Sequence, residues 1–307
     1  MGHREIFTKS PRRRWRLPEQ RTHYLDTGVL RRRSRTLRHS PLRHVAYTSA
    51  LSLVELIAGA RRSEKEFGTR RAAVDAVFVA GVAVDWQFPE AKVACAFPRL
   101  RDKYDIFETR CGSLQILVDA FRASRTSKEF GRRAEGLDLS EPLEFFESYD
   151  DEYAGDYTAR AIEWARESKR LFDPNSFPAQ LLGLPPTASH ADYIRAFRAS
   201  AFNGIIVRYG VARGVAENEG LTTEADHDEL FMTYDGSIDD YLKVLSWRQF
   251  EHALGRVPGR NDAIDVAHLL YLVPGATFVT TDRALAECAM EVEIPCRGPD
   301  SVVAGAY

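Results

Sequence analysis

The residues of this chain best suited to do chemistry are carboxylates. Asp262 and Asp265 open a helical stretch, Arg260-Asn261-Asp262-Ala263-Ile264-Asp265-Val266-Ala267-His268, which leads to Phe278-Val279-Thr280-Thr281-Asp282. Asp26 and Glu55 come much earlier. Each of these acids falls at the end of a predicted strand or in the first turns of the helix after it. A parallel sheet would bring them all to the carboxyl ends of its strands, the edge where open α/β folds bind ligands. Carboxylates gathered there repel one another unless a cation sits between them, and a hard divalent ion with oxygen ligands is the usual solution. Taken singly, each acid also fits a structural role. Asp26 and Asp282 suit helix caps, Glu55 a solvated helix face, and Asp262 a first-turn position favoured by the helix dipole. Their order and setting are what favour a shared site.

Positioning them requires alternating strands and helices. His23-Tyr24-Leu25-Asp26 reads as a short strand poor in aliphatics, Val45 to Ser49 as a second and Val82 to Asp85 as a third. Between them lie helical stretches over 50–60 and 63–80, and Pro89 suits the first turn of a helix running to Phe97. This alternation is the pattern of a parallel sheet. From about 100 to 255 helical periodicity replaces it, with apolar stripes at Leu114, Leu117, Val118 and Phe121, at Ile162, Ala165 and Leu171, and at Ile194, Phe197, Ala201, Ile205 and Val207. Strand and helix alternate again from Asp262: a helix to Leu272, a strand over 276–281, a helix over 283–290 and a last short strand at Val292-Glu293-Ile294. The expected organisation is a basic arm (1–21), a first α/β part (22–98), an all-helical insertion (99–255) and a second α/β part (256–307).

Charge is distributed unevenly. Residues 1–45 carry thirteen Lys and Arg against Glu5, Glu19 and Asp26, a net +10, which leaves −12 for the rest of a chain whose net charge is −2. A basic arm on an acidic body suits a polyanion, and nucleic acid is the commonest one; a solubilising tail, or one folded onto the chain's own acids, is the plainer reading. Nine acids and no Lys or Arg lie between Glu135 and Asp156. They read as a solvated helix face, or more sharply as a competitor of RNA for the arm. The 44% apolar content supports a soluble globular protein. Four scattered cysteines show neither zinc nor disulfide spacing, and no apolar run is long enough to span a bilayer, so the cytoplasm is the expected compartment. Neither a Gly-rich dinucleotide fingerprint nor a P-loop is present, which disfavours nucleotide-binding enzymes.

In order, Leu25-Asp26-Thr27-Gly28, Ser49-Ala50-Leu51-Ser52-Leu53-Val54-Glu55-Leu56, Asp265-Val266-Ala267-His268 and Thr280-Thr281-Asp282 resemble the motifs of the PIN-domain nucleases. The resemblance covers roughly residues 22–98 and 256–300, and leaves out the arm and the helical middle. The third acid is doubled here, Asp262 as well as Asp265. The resemblance implies an α/β fold, a PIN-like three-layer α/β/α arrangement around a central parallel sheet, interrupted by the insertion. It also implies a metal-dependent endoribonuclease, in a toxin, defence or RNA-processing setting.

The resemblance implies a two-metal mechanism with Mg2+ or Mn2+, in which two ions about 3.5 to 4 Å apart activate water, neutralise phosphate oxygens and stabilise the leaving alkoxide. Asp26 would bridge the ions, Asp265 and Asp282 complete the main site, and Glu55 bind a second ion or orient the water. Asp262 would be an auxiliary ligand, with Thr280 and His268 supporting. Arg31, Arg32, Arg33 and Arg35, just after the first acidic strand end, would hold the RNA backbone bidentately without reading sequence, and Arg12, Arg13 and Arg14 of the arm would add to it. The competing readings are a non-catalytic RNA-binding or scaffold protein on a degenerate PIN fold and a different metal phosphoesterase. RNA target, mode of cleavage, oligomeric state and any inhibitor partner are open at this level.

Overall fold

The computed structural model describes residues 21–37, 39–104 and 109–301. Arg12, Arg13 and Arg14 lie outside these, so the arm has no structural account. In chain order the elements are β1 (His23–Leu25), α1 (Thr27–Leu37), β2 (Ala46–Ser49), α2 (Ala50–Ala58), α3 (Glu64–Ala80), β3 (Ala83–Asp85), α4 (Pro89–Cys95), α5 (Pro98–Tyr104), α6 (Thr109–Ala123), α7 (Ser127–Gly136) and α8 (Ser140–Leu171). They continue with α9 (Phe177–Leu181), α10 (His190–Ala199), α11 (Ala201–Asn218), α12 (Glu224–Thr233), α13 (Asp239–Ala253), α14 (Asp262–Ala267), β4 (Thr277–Val279), α15 (Arg283–Glu291) and β5 (Cys296–Arg297). No helix among the described residues is long and apolar enough to cross a membrane.

The five strands form one sheet in the order β3-β2-β1-β4-β5, with every pairing parallel. The protein is therefore α/β. β1 is central although it lacks the aliphatic run usual for such a strand. Aromatic burial replaces it: Tyr24 stacks on Tyr271 at 5.9 Å and on Phe278 at 6.0 Å, and its hydroxyl finds Ser49 Oγ at 2.7 Å. α2 is apolar nearly all round and correspondingly buried, with Leu51, Leu53, Val54, Leu56 and Ile57 inaccessible to solvent. Ser49 caps it by accepting from Ser52 N–H.

The chain divides into two compact units, one made from the ranges 1–95, 100–150 and 270–307, the other from 96–99 and 151–269. This division differs from the expected boundaries at 98 and 255. Helices to residue 150 pack with the sheet unit because their apolar stripes find partners there. Phe121 of α6 meets Phe67 of α3 edge-on at 5.0 Å and Phe130 of α7 at 5.0 Å, and Phe146 stacks on Phe88 at 5.9 Å. The second unit has a core of its own, in which Ile194, Phe250 and Ala253 are covered by Trp164, Tyr193 and Phe197.

Several local expectations are corrected. Ile162, Leu171 and Ile205 are 47%, 63% and 50% exposed rather than core. For Ile205 the cause is a break at Ser200, which ends α10 and resets the helical phase before α11. The helix expected over 262–272 is α-helical only to Ala267 and continues as a 3-10 turn, His268–Tyr271. The last strand is Cys296–Arg297, not 292–294. Those three residues close α15 instead, with Glu293 left-handed at φ 66 and Ile294 N–H bonded back to Ala289 O at 3.0 Å. Most of the acids from 135 to 156 are exposed, as a solvated face requires, while Glu147 pairs with Arg61 and Asp151 with Arg260.

Candidate active site

In the sheet order β3-β2-β1-β4-β5 the chain runs outward from β1 through β2 and β3, then returns to β1's other side as β4. The β1/β4 boundary is thus the topological switch point, where diverging connections leave a crevice beyond the strand ends. Asp26 directly follows β1, and Thr280-Thr281-Asp282 follow β4. The two strand ends are joined. Thr280 Oγ1 donates to Asp26 Oδ2 and accepts from Asp282 N–H at 2.9 Å.

Each acid is also tied into a helix start. Asp26 Oδ1 accepts from Val29 N–H at 2.7 Å in the first turn of α1, and Asp282 Oδ1 accepts from Leu285 N–H at 2.8 Å as the N-cap of α15. Glu55, a turn and a half into α2, accepts from the hydroxyl of Thr27. Thr27 adjoins Asp26 in the chain, so the Glu55–Thr27 hydrogen bond and the Asp26–Thr280–Asp282 bonds are connected through one peptide link. The sheet unit by itself therefore assembles three of the five expected acids. Gly28 is required for this close approach, since a Cβ there would stand 2.1 Å from Thr281 Oγ1.

Asp262, Asp265 and His268 belong to the helical unit. Asp262 is 5% exposed and taken up in closing its own loop: Oδ1 receives Arg256 Nη2 at 2.8 Å and Oδ2 receives Gly259 N–H at 2.8 Å, with His252 Nε2 3.8 Å away. His252 Nδ1 lies 2.9 Å from the Arg256 carbonyl, which can only accept, so Nδ1 carries a proton, and Nε2 lies 3.2 Å from the Tyr157 hydroxyl. Asp265, one turn on, is half-buried, and His268 is buried.

The four arginines after Asp26 do not form one cluster. Arg31 is paired with Glu66 at 3.1 Å and Arg33 with Asp300, whereas Arg32 and Arg35 are exposed.

Three groups had no role in the sequence reading. Thr27 was visible within the Asp-Thr-Gly motif, but only the fold shows its hydroxyl on Glu55. Tyr24 gave no signal beyond being a strand aromatic. Burial holds its phenol well above the ordinary range, with the charges of Glu55 and Asp26 adding to the effect and the Ser49 and Ser52 hydroxyls opposing it. Asp85, the fully buried end of β3, meets Lys92 Nζ at 3.0 Å; burial raises its pKa and Lys92 counters it. A strand-terminal acid followed seven residues later by a lysine was the available sign.

Carboxylates and threonine hydroxyls are hard oxygen donors of the kind Mg2+ and Mn2+ take. Among the described residues, however, no group of three or more His, Cys, Asp or Glu side chains is placed to hold one ion. No family model, curated protein or solved structure matches the chain.

Proposed function

We propose that this chain is a metal-dependent ribonuclease of the PIN type, acting on RNA phosphodiesters at the carboxyl edge of the sheet. The observation that carries the reading is the joining of the two strand ends at the β1/β4 switch point, Asp26 to Thr280 and Thr280 to Asp282, with Thr27 beside Asp26 bonded to Glu55. Asp26 and Asp282 follow the carboxyl ends of two neighbouring parallel strands, the edge at which open α/β sheets bind ligands, and Glu55 is tied to Thr27 beside Asp26. In this reading Asp26 and Asp282 would hold Mg2+ or Mn2+, with Glu55 holding a second ion or the attacking water. The ion would supply a nucleophilic water at neutral pH and neutralise the phosphate oxygens. Thr280 and Thr27 orient Asp26 and Glu55. Asp262, with both oxygens engaged by Arg256 and Gly259, supports the loop before α14 rather than binding metal directly. The PIN-like layering and the role of the second unit as an inserted module belong to the same proposal.

A second reading, an RNA-binding scaffold without catalysis, is favoured by the lack of a three-acid metal group among the described residues. Calorimetric titration with Mn2+ separates the two. The ribonuclease reading expects binding that Asp26→Asn and Asp282→Asn each weaken; no binding at millimolar Mn2+ leaves only the scaffold.

A further inference from the structure

We infer that Arg32 and Arg35 form a two-phosphate contact for the RNA backbone on the exposed face of α1, and that Arg31 and Arg33 are structural. The inference rests on the ribonucleic-acid reading above and specifies how that partner is held.

α1 reads Thr-Gly-Val-Leu-Arg-Arg-Arg-Ser-Arg-Thr-Leu and contains no acid. Four arginines at 31, 32, 33 and 35 therefore sit on three turns with no carboxylate of their own helix. Like charges three or four apart on a helix destabilise it. The helix dipole offsets this for Arg35, which lies in the last turn, and not for the others. Two of the charges are answered from elsewhere in the fold. Arg31 meets Glu66, which also receives Arg70 Nε at 3.1 Å; Arg70 is 8% exposed and in turn donates to the Glu55 carbonyl. The guanidinium of Arg70 fills the space that a Cβ on Gly59 would occupy. Arg31 is thus the outer end of a built network running under α2. Arg33 meets Asp300, and its Nε is buried.

Arg32 and Arg35 are different. Both are exposed, and neither has an ion-pair partner among the described residues. Three positions apart, they are neighbours on one face, separated by about 4.5 Å along the axis. α1 starts at Thr27, next to Asp26, and runs away from it, with Arg32 about 7.5 Å along the axis from Thr27. Guanidinium forks at that spacing suit two successive phosphates of one strand, and an anionic backbone supplies the compensating charge that the fold gives Arg31 and Arg33 but not this pair.

The test is binding of a labelled single-stranded RNA to the full chain in EDTA, so that cleavage plays no part, across a salt series. Each phosphate contact on a single strand contributes about 0.7 to the slope of log affinity against log salt, so Arg32→Gln/Arg35→Gln should flatten it by about 1.4, a differential of roughly sevenfold between 50 and 200 mM salt. The single variant Arg35→Gln should give half of that, about 0.7. Arg31→Gln/Arg33→Gln should leave the slope unchanged and lower the melting temperature instead. Equal flattening by both pairs, or flattening by the second pair alone, overturns the assignment while leaving RNA as the partner. A steep wild-type slope that neither pair alters does the same and moves the contact elsewhere. If the wild-type chain shows no salt-dependent RNA binding, the nucleic-acid reading fails together with this inference.

Discussion

Replacing Thr280 by valine removes one hydroxyl while keeping its shape. That hydroxyl makes two bonds in a position 3% exposed: it donates to Asp26 Oδ2 and accepts from Asp282 N–H. A hydrogen bond to a charged group is worth about 1.5–3 kcal/mol and a backbone N–H left without its acceptor about 1 kcal/mol, so Thr280→Val should destabilise the protein by about 2.5–4 kcal/mol. For a unit of this size each kcal/mol lowers the melting temperature by about 2–4 °C, giving a drop of roughly 5–15 °C. Thr280→Ser keeps both bonds and loses one methyl, which costs about 1 kcal/mol. Urea denaturation of both variants measures the difference directly. Combined with Asp26→Asn, Thr280→Val should show a coupling energy of about 1–2 kcal/mol, because the two side chains share one bond. If Thr280→Val lies within about 0.5 kcal/mol of wild type, or the cycle shows no coupling, the two strand ends are not joined as described.

Three further outcomes are expected. Asp282→Asn should stay within about 0.5 kcal/mol of wild-type stability, since Asn caps helices about as well as Asp, yet lose RNA hydrolysis by orders of magnitude; full hydrolysis would reduce Asp282 to a cap. Lys92→Met should cost about 3 kcal/mol in urea denaturation by leaving Asp85 buried and unpaired, and adding Asp85→Asn should restore most of it; no restoration would show that the pair is not what stabilises the start of α4. Burial and the nearby Arg297 charge lower the pKa of His23 below its ordinary 6.5, so the fold prefers the neutral ring. Its contribution is fully present above 6.5 and is lost as pH falls below that through the lower folded-state value, so wild type should lose melting temperature between pH 7.5 and 5.5 by a margin that His23→Gln lacks; equal loss in both would remove His23 as a cause.

Strand ends and helix starts were legible because their signals are local. Asp26, Ser49, Asp85 and Asp282 each close an apolar or aromatic run, and all four stand at the carboxyl ends of parallel strands. What could not be read depends on contacts between distant residues. The central place of β1 comes from Tyr24 packing against Tyr271 and Phe278, which an aliphatic-run criterion does not register. The division of the four arginines depends on Glu66 and Asp300, both far along the chain. Asp262 and Asp265 look equivalent by spacing. The Arg256 and Gly259 contacts that take up Asp262 arise from the conformation of the loop rather than from its composition. The division after residue 150 falls inside α8, which runs unbroken from Ser140 to Leu171, so no helix end marks it in the sequence.

The most direct test of the central claim is incubation of the full-length protein with labelled single-stranded RNA in Mg2+, Mn2+ or EDTA, beside Asp26→Asn and Glu55→Gln proteins shown to melt as cooperatively as wild type. The ribonuclease account predicts cleavage with either metal, none in EDTA, and a loss of orders of magnitude in both variants. Wild-type protein that binds the RNA and leaves it intact with every metal, or variants that cleave as wild type does, would contradict it.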